Sequence, residues 1–241
     1  EISVANMALG ASHMGARSMV ATSGGGFALM TETLGLVGLT ETPLVMINVQ
    51  RGGPATGLPT WTEQADLQFM LHAAQGDFPR IVMAPGDAGE AFEMGHQALN
   101  WADMYQLPVL ILSDKLIGEG NTTVPRFNSK NVKINRGKIL TQAQLNKIKE
   151  YGRYKVTQDG ISPRALPGMK GGLFIANSDE HDAYGFSNED SQNRIDQVDK
   201  RYRKLDEFRK IMPKPLIYGN PKAKKTVVFW GSNKGVVLDS Y

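Results

Sequence analysis

An arginine at the root of a rigid loop is the residue of this chain best suited to chemistry. Arg51 follows the apolar run 43–49 and belongs to a segment, 50–60, that contains three glycines and two prolines. Such an apolar run is typical of a buried parallel strand, and ligands of open α/β sheets bind beyond the carboxyl ends of strands. Because a guanidinium presents a planar fork of donors to a carboxylate or phosphate, the segment predicts an anion site.

The sequence alone allows two interpretations of Arg51. In the first, Arg51 binds a ligand, and the hydroxyl groups of Thr56 and Thr60 add donors to the same site. In the second, Arg51 only pairs with a nearby acid, such as Glu63 or Asp66.

A second glycine-rich turn, 23–27, joins the predicted strand 18–22 to a helix. Three consecutive glycines allow a ligand to approach the backbone closely. The spacing is not that of a dinucleotide-binding turn, and no acidic residue follows a second strand at the required place. A ligand-contacting turn and a tight structural turn are therefore both consistent with the sequence.

The elements that must position these segments alternate regularly over the first 118 residues or so. Strands are predicted at 18–22, 43–49, 80–84 and 107–112, with helices at 2–16, from the glycine turn to about 39, at 62–74 and at 88–104. The segment 85–87, which ends in Asp87, is predicted to cap the helix 88–104. This order of elements predicts a parallel sheet with right-handed crossovers. The small residues of the first helix suit close packing against another helix or another subunit.

The second half has a different character. Residues 119–140 and 157–193 are polar and loop-like. Thr141 and Gln144 form a candidate capping box that opens a short helix to about Tyr151, and apolar residues recur at helical spacing from Ile195 to Phe208. We predict an α/β domain at 1–118, an irregular α-containing extension at 119–212, a linker at 213–225 and the start of a second α/β domain at 226–241, with a strand at 226–230 followed by a turn and a helix. The chain is expected to be a piece of a longer polypeptide.

Bulk composition is that of a soluble globular protein: 41% of the 241 residues are hydrophobic and 21% are charged. No apolar run approaches the ~18 residues of a membrane span. The chain has no cysteine. It therefore brings no disulfide and no thiolate ligand, and any iron–sulfur cluster must be held by a partner.

Charge is distributed unevenly along the chain. Residues 1–120 carry 4 Lys and Arg against 12 Asp and Glu, whereas residues 121–241 carry 23 against 12. Nine basic residues and one acidic residue lie between positions 126 and 155. This stretch could bind nucleic acid or a phosphorylated cofactor, but the aromatic spacing of a nucleic-acid reader is missing, which favours a solvated or subunit-facing surface.

Three further features favour structural roles. The acidic segment 179–182 lacks the spacing of a calcium loop, which favours an acidic surface loop over a metal site, and no metal ligands are assigned. His13, His72 and His96 fall in predicted helices without the pattern of a catalytic triad. The lysines and arginines of 194–210 are interpreted as a charged outer face.

The sequence resembles the α subunit of the 2-oxoacid:ferredoxin oxidoreductases. The resemblance extends over nearly the whole chain and is most specific at 51–60. The strings that carry it are 5–12 with Glu1, 22–32, 50–60, 76–80, 112–115, 159–164, and 180–181 with 184–185. It looks closest to the archaeal-type members with broad use of 2-oxoacids.

The resemblance implies a thiamine diphosphate enzyme whose pyrimidine-binding domain is residues 1–118. Glu1 would hydrogen-bond the pyrimidine ring nitrogen, and Ser23, Gly24, Gly25 and Phe27 would line its pocket. Arg51, aided by Thr56, would bind the carboxylate of the 2-oxoacid. The family also carries a Tyr-Pro-Ile-Thr-Pro string before the glutamate, whose threonine would touch the substrate and which this chain does not contain.

The resemblance also implies partners. A β subunit would hold the diphosphate with Mg²⁺ and a [4Fe-4S] cluster, coenzyme A would be the co-substrate, and ferredoxin would accept the electrons. The expected protein is a cytoplasmic hetero-oligomer that binds neither nucleic acid nor membrane, and the basic stretch would face coenzyme A phosphates or the cluster-bearing subunit. The alternatives are another thiamine diphosphate enzyme, transketolase-like or acetolactate-synthase-like, and a non-catalytic scaffold subunit.

Overall fold

A four-stranded, entirely parallel sheet forms the centre of the molecule. The computed structural model describes residues 1–241 except for the side chain of Asn131. The strands are β1 (Met19–Ser23), β2 (Leu44–Gln50), β3 (Ile81–Met83) and β4 (Pro108–Asp114), in the order β1-β2-β4-β3. All four predicted strands are confirmed, with ends shifted by one or two residues, and so is the α/β fold class.

Helices cover both faces of this sheet. In chain order they are α1 (Ile2–His13), α2 (Gly24–Leu29), α3 (Thr31–Thr40), α4 (Leu67–His72), α5 (Ala88–Tyr105), α6 (Lys115–Glu119), α7 (Gln142–Leu145), α8 (Ser191–Arg209) and α9 (Asn233–Asp239). The predicted helix 62–74 is confirmed only as α4, because its first residues continue the glycine loop. The helix predicted after the glycine turn is interrupted at Met30, which separates α2 from α3.

Two apolar cores account for the stability of this arrangement. On one face, α1 to α4 bury residues such as Phe27, Leu34 and Met70 against Met46 of β2. On the other face, the Trp101 ring of α5 packs edge-on against Phe208 of α8, with centroids 4.9 Å apart. Strands covered on both faces are apolar over most of their length, which is why the sequence pattern predicted them correctly.

Two predicted helix starts have the expected caps. Asp87 accepts a hydrogen bond from the Glu90 amide at the start of α5, over 2.8 Å. Thr141 and Gln144 form the predicted capping box at the start of α7. The helix that follows has only four residues, Gln142–Leu145, and does not reach Tyr151 as predicted.

The outer face of α8 is charged as predicted, but its buried face is charged too, so the prediction was wrong for Lys200 and Lys204. Lys200 and Lys204 have fully buried side chains, whereas Ile195 of the same helix is 52% exposed. The reason lies in another part of the fold: Glu41, at the carboxyl end of α3, is also fully buried. Lys200 Nζ lies 2.6 Å from Glu41 Oε1, and Lys204 pairs with Oε2.

Glu41, Lys200 and Lys204 form a buried triad of charged side chains, and burial shifts the pKa of each of them. Burial alone would raise the pKa of Glu41, but the two ammonium groups outweigh it and hold that pKa well below its usual range. Burial lowers the pKa of Lys200 to about 8 and that of Lys204 to about 7, against the opposing pull of Glu41. The triad fixes α8, and with it the extension, to the α/β domain.

The predicted strand 226–230 is not a strand. Val227 and Val228 are 70% and 90% exposed, and no strand of the described chain runs beside them to complete their hydrogen bonds. The helix predicted to follow forms as α9. The division into domains stays a prediction.

The basic stretch 126–155 is partly structural. Arg136 pairs with Asp103 at 2.8 Å, Lys138 pairs with Asp159 at 2.5 Å, and the buried Arg153 donates to the Glu41 carbonyl at 2.7 Å. The other six basic side chains of the stretch are exposed. Among the described helices, none combines the length and apolarity needed to cross a bilayer.

Candidate functional site

The two glycine-rich segments of the sequence meet at one edge of the sheet. Ser23, at the end of β1, is in register with Val49 near the end of β2. The glycine turn that starts α2 therefore faces the loop that begins at Arg51. The neighbouring β4 ends at the same level of the sheet as β2, because their last residues, Gln50 and Asp114, are in register.

Glu1 reaches this edge from the start of α1. A Cβ atom placed on Gly26 would lie 2.7 Å from Glu1 Oε1 and would collide with the hydroxyl of Thr22. A side chain at position 26 would therefore have to displace the carboxylate of Glu1 and the hydroxyl of Thr22. Glu1 itself is exposed, so its carboxylate is accessible to a ligand.

Arg51 lies against the middle glycine of the same turn. Its Nη2 is 3.6 Å from the position of a Cβ on Gly25. Among the described side chains it has no ion pair within 4.0 Å, and its buried Nε has no hydrogen-bond partner. The interpretation in which Arg51 pairs with Glu63 or Asp66 is therefore wrong.

The loop after Arg51 is held in a fixed shape. The Leu58 amide donates to the Gly52 carbonyl over 2.9 Å, and Gly57 adopts a positive φ of 56° that brings it against that carbonyl. Lys115 Nζ donates to the Thr60 carbonyl over 2.9 Å, which ties the loop to the end of β4. These contacts fix the backbone that carries Arg51.

The other predicted ligand residues differ in accessibility. Ser23 and Gly24 are half-buried, while Gly25 and Thr56 are exposed. The Phe27 side chain is fully buried and packs edge-on against Phe69, with centroids 5.4 Å apart. It anchors the glycine turn to the core. The predictions that Phe27 lines a pyrimidine pocket and that Thr56 binds substrate stay predictions.

Sequence reasoning missed three polar residues that belong to this edge. Asn48 and Gln50 are 0% and 1% exposed at the end of β2, and Asp66 lies before α4. Asn48 Nδ2 donates to Asp66 Oδ2 over 3.0 Å. The Oδ1 of Asn48 and both amide atoms of Gln50 have no partner among the described atoms.

Such orphaned polar atoms cost about 1–3 kcal/mol each. The sequence did contain a signal for Asn48 and Gln50: two amides occupy the last three positions of an otherwise apolar strand.

The acidic segment 179–182 is not part of this site, and its side chains contact other residues of the chain. The Glu180 carboxylate binds Arg201 Nη2 at 2.7 Å and also pairs with Arg194. His181 is buried against the Tyr154 ring at a centroid distance of 4.0 Å, and burial lowers its pKa. His13, His72 and His96 lie in α1, α4 and α5, as predicted.

Together, the fold and the site define a class of protein. It is a parallel α/β ligand-binding domain in which an accessible carboxylate and an unpaired guanidinium flank a glycine turn at the strand ends. A flat heterocycle can approach the bare backbone of that turn, and a carboxylate or phosphate can bind the guanidinium.

Comparison with known proteins identifies the family. Residues 1–200 match the model of the family described as "Pyruvate flavodoxin/ferredoxin oxidoreductase, thiamine diP-bdg" (thiamine diphosphate-binding), and the chain belongs to this family. The resemblance inferred from sequence strings is thereby confirmed.

The relatives are oxidoreductase subunits. The chain is 43% identical over 245 residues to the 2-oxoacid:ferredoxin oxidoreductase subunit alpha of Saccharolobus solfataricus, an alignment that covers 100% of this chain and 38% of the relative. It is 48% identical over 114 residues to the 2-oxoglutarate oxidoreductase subunit KorA of Mycobacterium tuberculosis, covering 47% and 18% of the two chains.

A solved structure has the same fold. The 2-oxoglutarate:ferredoxin oxidoreductase of Magnetococcus marinus, determined with 2-oxoglutarate, coenzyme A and succinyl-CoA bound, superposes with a TM-score of 0.86 at 36% identity. The match covers 99% of this chain and 41% of that one. This chain thus spans well under half the length of the relatives that it matches.

Proposed function

We propose that the chain is part of the catalytic α subunit of a 2-oxoacid:ferredoxin oxidoreductase. The reaction is the oxidative decarboxylation of a 2-oxoacid to an acyl-CoA and CO2, with the electrons passed to ferredoxin. The observation that carries the proposal is the unpaired guanidinium of Arg51, fixed across a glycine turn from the carboxylate of Glu1.

The residues present fit thiamine diphosphate. The turn lacks side chains at Gly24, Gly25 and Gly26, so an aromatic ring can lie against its backbone, and Glu1 Oε1 approaches from the far end. When bound, the cofactor supplies an electron sink for decarboxylation. Glu1 would hold a proton at the pyrimidine ring nitrogen through a charge-assisted hydrogen bond.

Arg51 would bind and orient the substrate. A 2-oxoacid carries its carboxylate next to the keto carbon, so one bidentate contact with the guanidinium also fixes the reacting atom. Because the loop after Arg51 is braced by Gly52, Leu58 and Lys115, the backbone that carries the guanidinium does not have to be ordered when substrate arrives. Thr56 would add a hydroxyl contact to the same carboxylate.

The proposal includes a partner subunit that holds the diphosphate with Mg²⁺ and the [4Fe-4S] cluster. The absence of cysteine from the sequence supports a cluster held elsewhere. The relatives are named as α subunits. Large apolar side chains are exposed near the site, which suits an interface: Ile2 is 58% exposed, Leu58 55% and Trp61 69%.

The substitution of Arg51 by lysine tests the substrate contact. A lysine keeps the charge but loses the fork, so we expect KM for the 2-oxoacid to rise about 10- to 100-fold, the equivalent of one lost charged hydrogen bond. Turnover of pyruvate and 2-oxoglutarate by the intact complex, with a low-potential electron acceptor, measures this. The exposed Arg209, whose partner is Asp206, gives the matched control Arg209→Lys, for which KM should not change.

Two outcomes would contradict the proposal. An Arg51→Ala complex with unchanged KM and kcat would favour a scaffold subunit. A purified complex without iron–sulfur absorbance would favour a transketolase-like or acetolactate-synthase-like enzyme.

A further inference from the structure

The segment that follows Arg51 is exposed and makes few contacts with the rest of the chain. Every residue from 53 to 63 is exposed, so apolar packing does not hold this segment in place. Among the described residues, three hydrogen bonds join 52–65 to other parts of the chain. Lys115 makes one of them, to the Thr60 carbonyl, and Gln64 makes the other two. The position of the segment therefore depends largely on Gln64.

Gln64 binds the α9 junction, residues 230–234, where the apolar segment 226–230 turns into α9. Its Nε2 donates to the Trp230 carbonyl over 2.7 Å, and its Oε1 accepts from Asn233 Nδ2 over 2.6 Å. Between these partners, Gly231 has a positive φ of 62°, and a Cβ atom there would lie 3.0 Å from Gln64 Nε2. A larger residue at 231 would strain the backbone and press on the amide. Both ends of the Gln64 amide are thus committed to one neighbour.

The α9 junction is itself fixed to a rigid part of the fold. Lys234 Nζ donates to Asp87 Oδ2 and to Glu90 Oε1, both over 2.6 Å, at the start of α5. The Lys234 side chain also packs on Gly86, where a Cβ atom would lie 2.6 Å from its Cδ. Trp230 packs against the apolar core beneath α1 to α4. The junction therefore gives Gln64 a fixed anchor.

This anchor and Arg51 lie at the same edge of the sheet. All four strands are parallel, so the carboxyl ends of β2 and β3 point the same way. Arg51 follows β2, and Asp87, which binds the junction, lies shortly after β3. Glu63, the neighbour of Gln64, fills the space that a Cβ atom on Gly52 would need. Contacts therefore run from the junction through Gln64 and Glu63 to the residue that follows Arg51.

We propose that Gln64 is a positioning residue that, by binding the α9 junction, holds the segment carrying Arg51 in place for the substrate. This inference rests on the proposed function, in which Arg51 binds the carboxylate of a 2-oxoacid. Gln64 itself does not touch the substrate. It limits the motion of the segment, and a segment that moves freely has to be ordered at a cost in affinity when substrate binds.

A purely structural role is the rival interpretation of the same two bonds. In that role Gln64 only attaches the α9 junction, and the segment 52–61 keeps its position without it. The Leu58 amide separates the two roles, because it donates to the Gly52 carbonyl and exchanges with solvent only when the loop opens.

Hydrogen–deuterium exchange of the intact complex without substrate is the first measurement. Gln64→Ala removes both bonds to the junction, so we expect the amides of 52–61 to exchange about 10-fold faster than in the wild type. Asn233→Ala removes one bond from the other side of the contact and should cause a smaller increase in the same segment. The control is Gln192→Ala, because Gln192 is exposed on α8 and its amide binds the neighbouring Asp196. It should leave the exchange of 52–61 unchanged.

Turnover of pyruvate and 2-oxoglutarate by the same complexes is the second measurement. A less well placed Arg51 weakens a contact made in both the ground state and the transition state. We therefore expect KM to rise about 10-fold in Gln64→Ala while kcat stays within about twofold of the wild type. If Gln64 and Asn233 act through one contact, the double variant Gln64→Ala/Asn233→Ala should have the KM of Gln64→Ala alone.

The outcomes distinguish this inference from the proposed function. Faster exchange confined to 230–234, or an unchanged KM in Gln64→Ala, assigns Gln64 the structural role and overturns the inference alone. Independent effects of Gln64→Ala and Asn233→Ala on KM overturn it as well. If Gln64→Ala does not assemble, Asn233→Ala decides by the same two measurements, since Asn233 lies outside the segment that follows Arg51. A wild-type complex that turns over no 2-oxoacid overturns the proposed function, and this inference with it.

Discussion

Gly24 and Gly26 owe their identities to the side chains they face. At position 26 the space of a Cβ atom is taken by Thr22 and Glu1, and at position 24 it is taken by Asp66. At position 25 a methyl group would only come into ordinary contact with Arg51 Nη2, at 3.6 Å. The turn is thus required by steric contacts with charged residues as much as by backbone conformation.

The substitution Gly26→Ala tests this at the scale of one residue. The added methyl group must displace Thr22 or Glu1, so we expect the affinity for thiamine diphosphate to fall at least 10-fold, as when one charged hydrogen bond is lost. Calorimetric titration of the apo complex measures it. Gly95 of α5 has open space at its Cβ position, so Gly95→Ala should leave affinity unchanged. Equal effects of the two substitutions would refute the steric role of Gly26.

At the scale of elements, α8 shows how a distant charge changes which side chains of a helix are buried. Its apolar residues would favour burying Ile195 and Tyr202, which are instead 52% and 39% exposed. The buried Glu41 requires compensation, and removing one partner of a buried ion pair costs about 3–5 kcal/mol. The free energy gained by pairing Glu41 is larger than the free energy lost by exposing Ile195 and Tyr202.

The substitution Glu41→Gln measures this element-scale effect. It leaves the buried Lys200 and Lys204 without a counter-charge, so we expect the free energy of unfolding to fall by about 3–5 kcal/mol. Urea denaturation followed by circular dichroism is the measurement. Glu207 of the same helix forms a surface pair with Lys210, so Glu207→Gln should cost less than about 1 kcal/mol. A similar cost for both variants would contradict the assignment.

At the scale of the whole molecule, the extension is fixed to the α/β domain by polar contacts as well as apolar packing. Arg153 donates to the Glu41 carbonyl, Arg136 pairs with Asp103, and Phe208 packs against Trp101. The long loop within the extension includes the buried His181, whose ring lies between Tyr154 and the Asp179 carbonyl. This histidine makes docking sensitive to acid.

The expected pH dependence follows from the sign of the His181 shift. Burial lowers the pKa of His181 below its ordinary value, so the unfolded chain binds more protons as pH falls through about 6.5. Stability is therefore lost from pH 7 towards pH 5, by at most about 1.4 kcal/mol per pH unit for this one group.

Thermal unfolding at several pH values checks this expectation. His181→Phe, which keeps an aromatic ring against Tyr154, should flatten the decline, whereas substitution of the exposed His72 by Asn should not. A decline of the same slope in His181→Phe and in the wild type would assign acid sensitivity to other groups.

Local pattern was sufficient for the strands, for the position of Arg51 directly after β2 and for the capped starts of α5 and α7. It worked there because β2 and β4 are buried on both faces and so are apolar over most of their length, and because a cap is decided by residues three positions apart. The segment 226–230 has the same apolar pattern and is not a strand, since pairing depends on a neighbour that the pattern cannot specify.

The sequence by itself determined the parallel α/β architecture, the family resemblance and the placement of Arg51 at the end of a strand. Only the tertiary structure decided that Arg51 is unpaired, that Asp66 faces Gly24, and that α8 buries its lysines against Glu41. The physical reason is the distance along the chain over which each kind of interaction acts. Periodicity and caps act over a few residues, whereas the charge at Glu41 acts on side chains 159 positions away in the chain.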